Sequence, residues 1–220
     1  MSVKQDAIHK QYDLLAPQVV KNLESRNFEA YYCKTKEEAL QKALSLIPDG
    51  SSVSWGGSVS IGEIGLIEGV YRNKSLKILD RDKAADFAKR MEYMRQALLC
   101  DVYLTSTNAL TEDGILVNID ANGNRVAAMT FGPKSVIMIV GMNKLTKTFK
   151  EALSRARNYA APVNTLRLCA VSPLKTPCAA TGTCGDCKSP DSICSFIVET
   201  RMCKFKGRIK VVLVGETLGF

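Results

Sequence analysis

The chain has 220 residues, a formal net charge of +8 and hydrophobic side chains at 46% of its positions. This is enough for one sizeable α/β core, so we expect a single domain over residues 1–220. The basic residues are scattered among acidic ones, without aromatic residues between them, which argues against nucleic-acid binding. The excess of positive charge instead suits a small anionic organic substrate, such as a carboxylate, a phosphate or a coenzyme A ester.

The chain begins with MSVKQDAIHKQYDLLAPQ, which is charged and polar where a signal peptide needs an apolar stretch. We therefore expect a cytoplasmic protein. The best apolar run, SVIMIVGM at 135–142, is far shorter than the roughly 20 residues of a membrane span, so we expect no membrane insertion. Because disulfides are rare in the cytoplasm, metal binding or reactivity explains the eight cysteines better than a disulfide framework does.

Hydrophobic periodicity predicts alternating helices and strands along the chain. Helices are expected over about 3–26, 36–46, 82–100 and 145–162, and strands over about 28–33, 51–55, 75–80, 101–106, 135–141, 195–201 and 208–216. This β-α-β rhythm is typical of a parallel sheet. We predict an α/β fold, with a mainly parallel sheet, helices on both faces and central strands near 52–55, 76–80, 101–106 and 135–141.

A glycine-rich turn after the strand at 51–55 is the first candidate site. Gly56 and Gly57 permit close approach of backbone N–H groups to an anion, and Ser58 and Ser60 add hydroxyl donors. Glu63 falls one turn into the following helix and is a candidate catalytic carboxylate. Two interpretations stay open, because the glycines also suit a simple turn and Glu63 also suits an exposed helix surface.

Polar residues that follow the buried strand at 101–106 form the second candidate site. Ligands of open α/β sheets bind beyond the carboxyl ends of the strands. Thr107 and Asn108 are therefore candidates to bind a carboxylate or a hydroxyl, and Glu112 or Asp113 to act as general base or nucleophile. The alternative is a turn that ends at Asp-Gly. Further ligand-binding candidates are Asn118 and Asn124. We expect the loops at 55–63 and 105–114 to form one pocket.

Four cysteines lie in one segment, PCAATGTCGDCKSPDSIC, within a cysteine-rich insertion at about 177–195. The candidate metal ligands are Cys178, Cys184, Cys187 and Cys194. A segment so poor in aliphatic residues cannot bury thiols as apolar core, whereas their spacing allows four thiolates to surround one centre. An iron–sulfur cluster is favoured over zinc, because zinc modules more often present two separate Cys-x-x-Cys pairs. The third alternative is that the thiols bind no metal.

Several other residues are expected to have structural roles only. Phe87, Met91, Met94 and Leu98 recur at helical spacing and are predicted to be core. The basic residues Lys144, Lys147, Lys150, Arg155 and Arg157 are predicted to form a solvated helix face. Cys33, Cys100 and Cys169 are predicted to be core cysteines, and Cys203 a spare or resolving thiol. His9 is the only histidine and lies far from every motif, which argues against histidine-dependent catalysis.

Three segments together resemble the LUD, or lactate-utilisation, domain family. They are WGGSVSIGEIGL at 55–66, DVYLTSTNALTEDGILVNIDANGNRVAAMTFGP at 101–133 and RIKVVLVGETLGF at 208–220. The cysteine segment is similar to an insertion found in one subgroup of that family. The resemblance implies an α/β sheet related to ribose-5-phosphate isomerases, glucosamine-6-phosphate deaminases and coenzyme A transferases.

The resemblance also implies a function. It predicts a part in the oxidation of L-lactate or a related small organic acid, with a cysteine-bound iron–sulfur cluster of the 4Fe-4S type and iron–sulfur redox partner proteins. Two alternatives stay open on the same fold. One is an enzyme that acts on coenzyme A esters or sugar phosphates, and the other is a non-catalytic ligand-binding module.

Overall fold

The computed structural model describes residues 3–220. Its strands are β1 (Glu29–Cys33), β2 (Ser52–Trp55), β3 (Lys77–Ile78), β4 (Val102–Thr105), β5 (Ala109–Thr111), β6 (Leu116–Asp120), β7 (Ser135–Gly141), β8 (Leu145–Thr146), β9 (Phe196–Thr200) and β10 (Ile209–Val214). Its helices are α1 (Val3–Ser25), α2 (Lys36–Ser45), α3 (Val59–Glu63), α4 (Leu66–Arg72), α5 (Phe87–Gln96), α6 (Asn124–Thr130), α7 (Phe149–Arg155), α8 (Ala161–Cys169) and α9 (Pro177–Thr181). A π-helical segment, Ala156–Ala160, joins α7 to α8.

Six strands form one sheet in the order β1-β10-β7-β4-β2-β3, and every neighbouring pair is parallel. The predicted parallel α/β fold is confirmed, but two details of strand placement were wrong. The strand expected at 76–80 is only Lys77–Ile78 and lies at the edge of the sheet. Ile209–Val214 lies inside the sheet instead, between β1 and β7.

Helices cover both faces of the six-stranded sheet. Along β7, Val136, Met138 and Val140 pack in the core cluster that contains the buried side of α1. Ile137 and Ile139 point to the opposite face, in the cluster that contains the buried residues of α2 and α4. Both alternating sets of side chains are thus buried, which is why this strand reads as a continuous apolar run.

The remaining strands form a second sheet in the order β8-β5-β6-β9. β6 is antiparallel to both β5 and β9, whereas β5 and β8 are parallel. One side of this sheet packs against α7 and the π-helical segment that follows it, through the fully buried side chains of Ala152 and Ala156. Small residues at these positions allow the helices to approach the sheet closely. These helices continue into α8, which precedes the cysteine segment.

Helix ends follow capping rules that shorten some of the predicted helices. Asp86 caps the N-terminus of α5 by accepting from the backbone N–H of Lys89, so the helix expected from residue 82 begins at Phe87. Thr148 and Glu151 form a reciprocal capping box at α7. Phe87 is therefore in the first turn of its helix, where it is 75% exposed, and its predicted core position was wrong.

Two other structural expectations were also wrong. Lys144 and Arg155 do not lie on a solvated face, since Lys144 is only 3% exposed and Arg155 donates to the backbone carbonyl of Asn108 at 2.6 Å. Cys203 is buried in the main core and donates to the carbonyl of Phe205, so it is not a resolving thiol for the cysteine segment. Within residues 3–220, no helix combines the length and the apolar character needed to cross a membrane.

Candidate functional site

A cleft of about 320 Å³ lies where several strands of the large sheet end at their carboxyl termini. Gly57 and Ser58 enter it after β2, Thr105 to Asn108 after β4, and Lys144 after β7. This is the edge at which open α/β sheets bind ligands. The volume is at the small end of the range for ligand pockets, so the cleft suits a small molecule.

Lys144 places a buried amine in this cleft. Its Nζ donates to the hydroxyl of Ser60 at 2.9 Å and to the hydroxyl of Ser106 at 3.0 Å. The pKa of Lys144 is lowered to about 7, mainly by burial and then by the guanidinium charges of Arg155 and Arg125, against a smaller opposing effect of Glu63. In a substantial fraction of the molecules, the amine of Lys144 is therefore neutral at physiological pH.

Two buried polar atoms in the cleft have no hydrogen-bond partner among residues 3–220, namely Ser58 Oγ and Arg81 Nε. The nearest carboxylate to Arg81 Nε is that of Asp82 at 3.8 Å, which is too far for a hydrogen bond. Gly57 leaves room for the Arg81 guanidinium beside them, because a Cβ atom there would lie 2.8 Å from Arg81 Nη2 and would displace the end of that side chain. Both atoms can donate a hydrogen bond, and a buried donor without a partner is unfavourable.

Arg125 organises the floor of the cleft. Its guanidinium donates to the carbonyls of Ser106 and Ile119 and to the side-chain oxygens of Asn108 and Asn118, at distances of 2.7 to 3.2 Å. The result is a fixed geometry for the loop that follows β4.

Gly56 is required by this packing, since a Cβ atom there would lie 3.1 Å from Arg125 Cδ and 3.2 Å from the Tyr103 hydroxyl. At the start of α6, the Asp120 carboxylate accepts from the backbone N–H groups of Arg125 and Val126 at 3.0 Å. Asp120 therefore serves to hold Arg125 in place.

Five of the ligand-binding residues chosen from the sequence line this cleft, and two lie behind it. The five are Gly57, Ser58, Thr107, Asn108 and Asn124. Gly56 packs against Arg125, and Asn118 is fully buried with its side-chain oxygen bonded to the same arginine. The loops at 55–63 and 105–114 thus meet at one cleft, through their first residues only.

The three carboxylates chosen as catalytic candidates make other contacts. Glu112 pairs with Lys147 at 2.8 Å, and Asp113 pairs with Arg26 at 2.7 Å, both outside the cleft. Glu63 accepts from the backbone N–H of Gly219 at 2.7 Å and so anchors the C-terminal segment beside the cleft. The strand geometry explains the first two positions, because β5 carries the chain away from the cleft before it reaches Glu112.

Six charged residues line the cleft, and none of them is among the site residues predicted from the sequence. They are Arg81, Arg90, Asp120, Arg125, Lys144 and Arg167. One signal was present for Lys144. It follows the apolar strand SVIMIVG by three residues, so the rule applied to the other two loops would have placed it at the same edge of the sheet.

The four cysteines of the insertion line a second cavity. Cys178, Cys184, Cys187 and Cys194 all contribute to its wall. The pKa of Cys194 is raised to about 11, mainly by burial and then by the neighbouring Cys184, Cys178 and Cys187. Cys178 also contacts the hydroxyls of Thr165 and Thr176, which tie the segment to α8 and to the cap of α9. The fold thus brings the thiols of the cysteine segment, from Cys178 to Cys194, to one cavity.

This donor set fits a sulfur-ligated centre, because four thiols and no imidazole face one cavity. Over residues 3–220, however, no group of three or more His, Cys, Asp or Glu side chains has the arrangement of a ready-made metal site. Where a site is not preformed, metal coordination itself organises the loop that carries the ligands.

The two cavities are neighbours. Ile119 and Ile193 line both the cleft and the cysteine cavity. Ile119 belongs to β6, whose Asn118 and Asp120 contact Arg125, and Ile193 directly precedes Cys194. A ligand in the cleft and a centre held by the cysteines would be separated by these apolar side chains.

The strand order and the cleft define an α/β protein with a basic cleft at the carboxyl edge of a parallel sheet. A sequence profile described as the LUD domain matches residues 16–214, and the chain belongs to this family. In this general sense it is a lactate-utilisation-related protein. No curated protein matches the chain significantly.

The solved structures that resemble this chain share little sequence identity with it. A DUF162 family protein from Deinococcus radiodurans is 12% identical, with 92% of this chain and 96% of that chain covered and a TM-score of 0.49. Ribose 5-phosphate isomerase A from Methanocaldococcus jannaschii is 13% identical, with 77% and 80% covered and a TM-score of 0.37. A D-ribose-5-phosphate isomerase in complex with phospho-erythronic acid is 17% identical, with 52% and 54% covered and a TM-score of 0.35.

Proposed function

We propose that the chain takes part in the oxidation of L-lactate or a related small organic acid, with a 4Fe-4S cluster held by Cys178, Cys184, Cys187 and Cys194. The observation that carries the proposal is the shared wall between the two cavities, formed by Ile119 and Ile193. A basic cleft for an organic acid beside a cavity of four thiols suits electron transfer from a bound acid.

The cleft supplies the groups that bind the acid. Arg81 Nε and Ser58 Oγ are buried donors without partners among residues 3–220, and they suit the two oxygens of a carboxylate. Lys144 in its neutral form can accept the proton of a 2-hydroxyl group, because its pKa is lowered to about 7. The apolar wall limits water between the acid and the cysteines.

Oxidation of a 2-hydroxy acid to a 2-oxo acid releases two electrons and two protons. A cluster held by the four cysteines would supply one-electron transfer. The oxidant in this proposal is an iron–sulfur partner protein, which would take up both electrons. The hydroxyl proton passes to Lys144, and the second proton passes to solvent.

The alternatives are less well supported by the geometry. A transferase that forms an acyl intermediate needs a free carboxylate in the cleft, whereas Glu112 and Asp113 lie in ion pairs outside it. Zinc bound by the same cysteines would be structural, and the cleft would then serve a ligand-binding module. Metal analysis and turnover together distinguish these possibilities.

Anaerobic purification followed by iron, sulfide and zinc analysis tests the proposal. Addition of L-lactate, with a one-electron acceptor in place of the partner protein, should then give a lactate-dependent electron paramagnetic resonance signal of the reduced cluster. Stoichiometric zinc without iron, or an iron–sulfur cluster that no 2-hydroxy acid reduces, would contradict the proposal. Cys187→Ser should abolish the signal, whereas Cys169→Ser is the matched control outside the cysteine cavity.

A further inference from the structure

Lys144 is held in an environment that is unusual for a buried lysine. Its amine is bonded to two neutral hydroxyls, those of Ser60 and Ser106, and no ion pair within residues 3–220 includes it. Buried charges normally have a carboxylate partner. A neutral amine is thus favoured at this position, and a neutral amine is a nucleophile.

The charged groups around Lys144 favour the same state. The guanidinium groups of Arg155 and Arg125 repel a proton on Nζ, and the carboxylate of Glu63 has a smaller, opposing effect. Arg125 is held by the loop that follows β4, and Arg155 is held by the carbonyl of Asn108. Both repelling charges are therefore fixed parts of the fold.

Space for a reacting carbon is available beside the amine. Lys144, Ser60 and Ser106 all line the cleft, together with Gly219 of the C-terminal segment. A Cβ atom at Gly219 would lie 3.4 Å from Nζ and 2.8 Å from Ser60 Oγ. The glycine thus leaves open the volume that a side chain would fill.

We infer that Lys144 forms a covalent imine with the carbonyl carbon of a 2-oxo acid bound in the cleft. The choice of ligand rests on the proposed function, because a 2-oxo acid is the product of 2-hydroxy acid oxidation. Arg81 Nε and Ser58 Oγ hold the carboxylate, so that the adjacent carbonyl carbon faces the amine. The imine keeps the oxidised product in the cleft until water releases it.

The reaction balances without an oxidant or a reductant. The lone pair of Nζ forms a bond to the carbonyl carbon, and the carbonyl π electrons move to oxygen, which takes up a proton. Loss of that oxygen as water then gives the imine, so that amine and 2-oxo acid yield imine and one water molecule. The hydroxyls of Ser60 and Ser106, at 2.9 and 3.0 Å from Nζ, are placed to relay these protons.

Reductive trapping of the full-length chain tests this inference. Pyruvate and sodium cyanoborohydride convert an imine into a stable carboxyethyl-amine, which intact mass and peptide mapping detect. We expect one carboxyethyl group per chain, located on Lys144 and dependent on pyruvate. A label confined to exposed lysines, or no label under conditions where calorimetry shows pyruvate binding, would overturn the inference.

A variant without the amine sharpens the test. Lys144→Met removes the nucleophile without adding a permanent charge to the buried site, so the adduct should be lost, whereas the matched control Lys150→Met should be labelled on Lys144 like the unaltered chain. Circular dichroism checks that Lys144→Met folds. If the Lys144 variant does not fold, peptide mapping of the unaltered chain still decides the question, because it locates the label without any variant.

The experiment separates this inference from the proposed function. Cys187→Ser should still form the adduct, because the amine does not depend on the cysteines. An adduct on Lys144 in the unaltered chain, if that chain binds no iron after anaerobic purification, would overturn the redox proposal and support the imine. Lactate-dependent cluster reduction without any adduct would overturn the imine alone.

Discussion

The Nζ atom of Lys144 lies 2.9 Å from the Oγ atom of Ser60, although 84 positions separate the two residues. The contact joins the segment after β7 to the helix that follows β2, and it lies at the carboxyl edge of the sheet. Burial at this point converts an ordinary basic residue into an amine whose pKa is about 7. This pair therefore determines the chemistry that the cleft can perform.

Lys144 should make the stability of the protein depend on pH. Its pKa is 10.5 as a free side chain and about 7 in the folded protein. Between these values the unfolded state binds more protons than the folded state, so the free energy of unfolding rises with pH across this window. In Lys144→Met this increase in the free energy of unfolding, on the order of a few kcal/mol, should be absent.

Urea unfolding at pH values from 7 to 10.5 measures this effect. Lys150→Met is the control, because Lys150 is exposed and should leave the pH dependence unchanged. If the free energy of unfolding changed with pH equally in Lys144→Met and in the unaltered chain, Lys144 would not be buried as a neutral amine.

Gly57→Ala should weaken anion binding and leave the fold intact. The new Cβ atom would lie 2.8 Å from Arg81 Nη2, and the end of this flexible side chain can move away. Displacement of one charge-assisted donor should raise the dissociation constant for pyruvate or L-lactate about tenfold, measured by calorimetry.

Gly62→Ala is the matched control for this change. It also replaces a glycine near the same loop, but its Cβ atom would meet nothing within 4 Å. Gly62 lies in α3, where alanine should increase stability by about 0.5–1 kcal/mol without altering affinity. Equal affinity in both variants would argue that Arg81 does not contact the ligand.

Arg125→Lys should destabilise the protein by about 2–4 kcal/mol, because an ammonium group cannot reach the four oxygen partners that the guanidinium binds. The side-chain oxygens of Asn108 and Asn118 would each lose a donor. Chemical denaturation measures the change, and Arg95→Lys on the exposed surface of α5 is the control. If Arg125→Lys lowered the free energy of unfolding by less than about 0.5 kcal/mol, the role of Arg125 in fixing the cleft floor would be contradicted.

Cys187→Ser should abolish metal content and leave the parallel sheet folded. The ligand candidates lie in a segment outside the two core clusters of that sheet, so loss of one thiolate should affect only local order. Metal analysis after anaerobic purification and far-ultraviolet circular dichroism measure the two outcomes. Full metal occupancy in this variant, with loss in Cys169→Ser instead, would reverse the assignment of ligands.

Local sequence determines much of this fold. Val136 to Val140 must be a strand buried on both faces, because only a sheet covered on both sides accommodates five apolar residues in succession. The four cysteines could be grouped from sequence for a similar reason, since Gly, Ser, Thr and Asp around them provide no apolar core. Polar residues directly after β2 and β4 could be placed at one edge because parallel strands share a direction.

Tertiary structure alone decided which charged groups serve the cleft. Glu112 and Asp113 follow β4 closely in sequence, yet the second sheet carries them away into ion pairs with Lys147 and Arg26. Lys144 belongs to a stretch that looks solvated, and its burial depends on Ser60 and Ser106 from two distant segments. Sequence patterns report local periodicity, whereas the burial of a charge and its pKa depend on contacts between residues that are far apart in the chain.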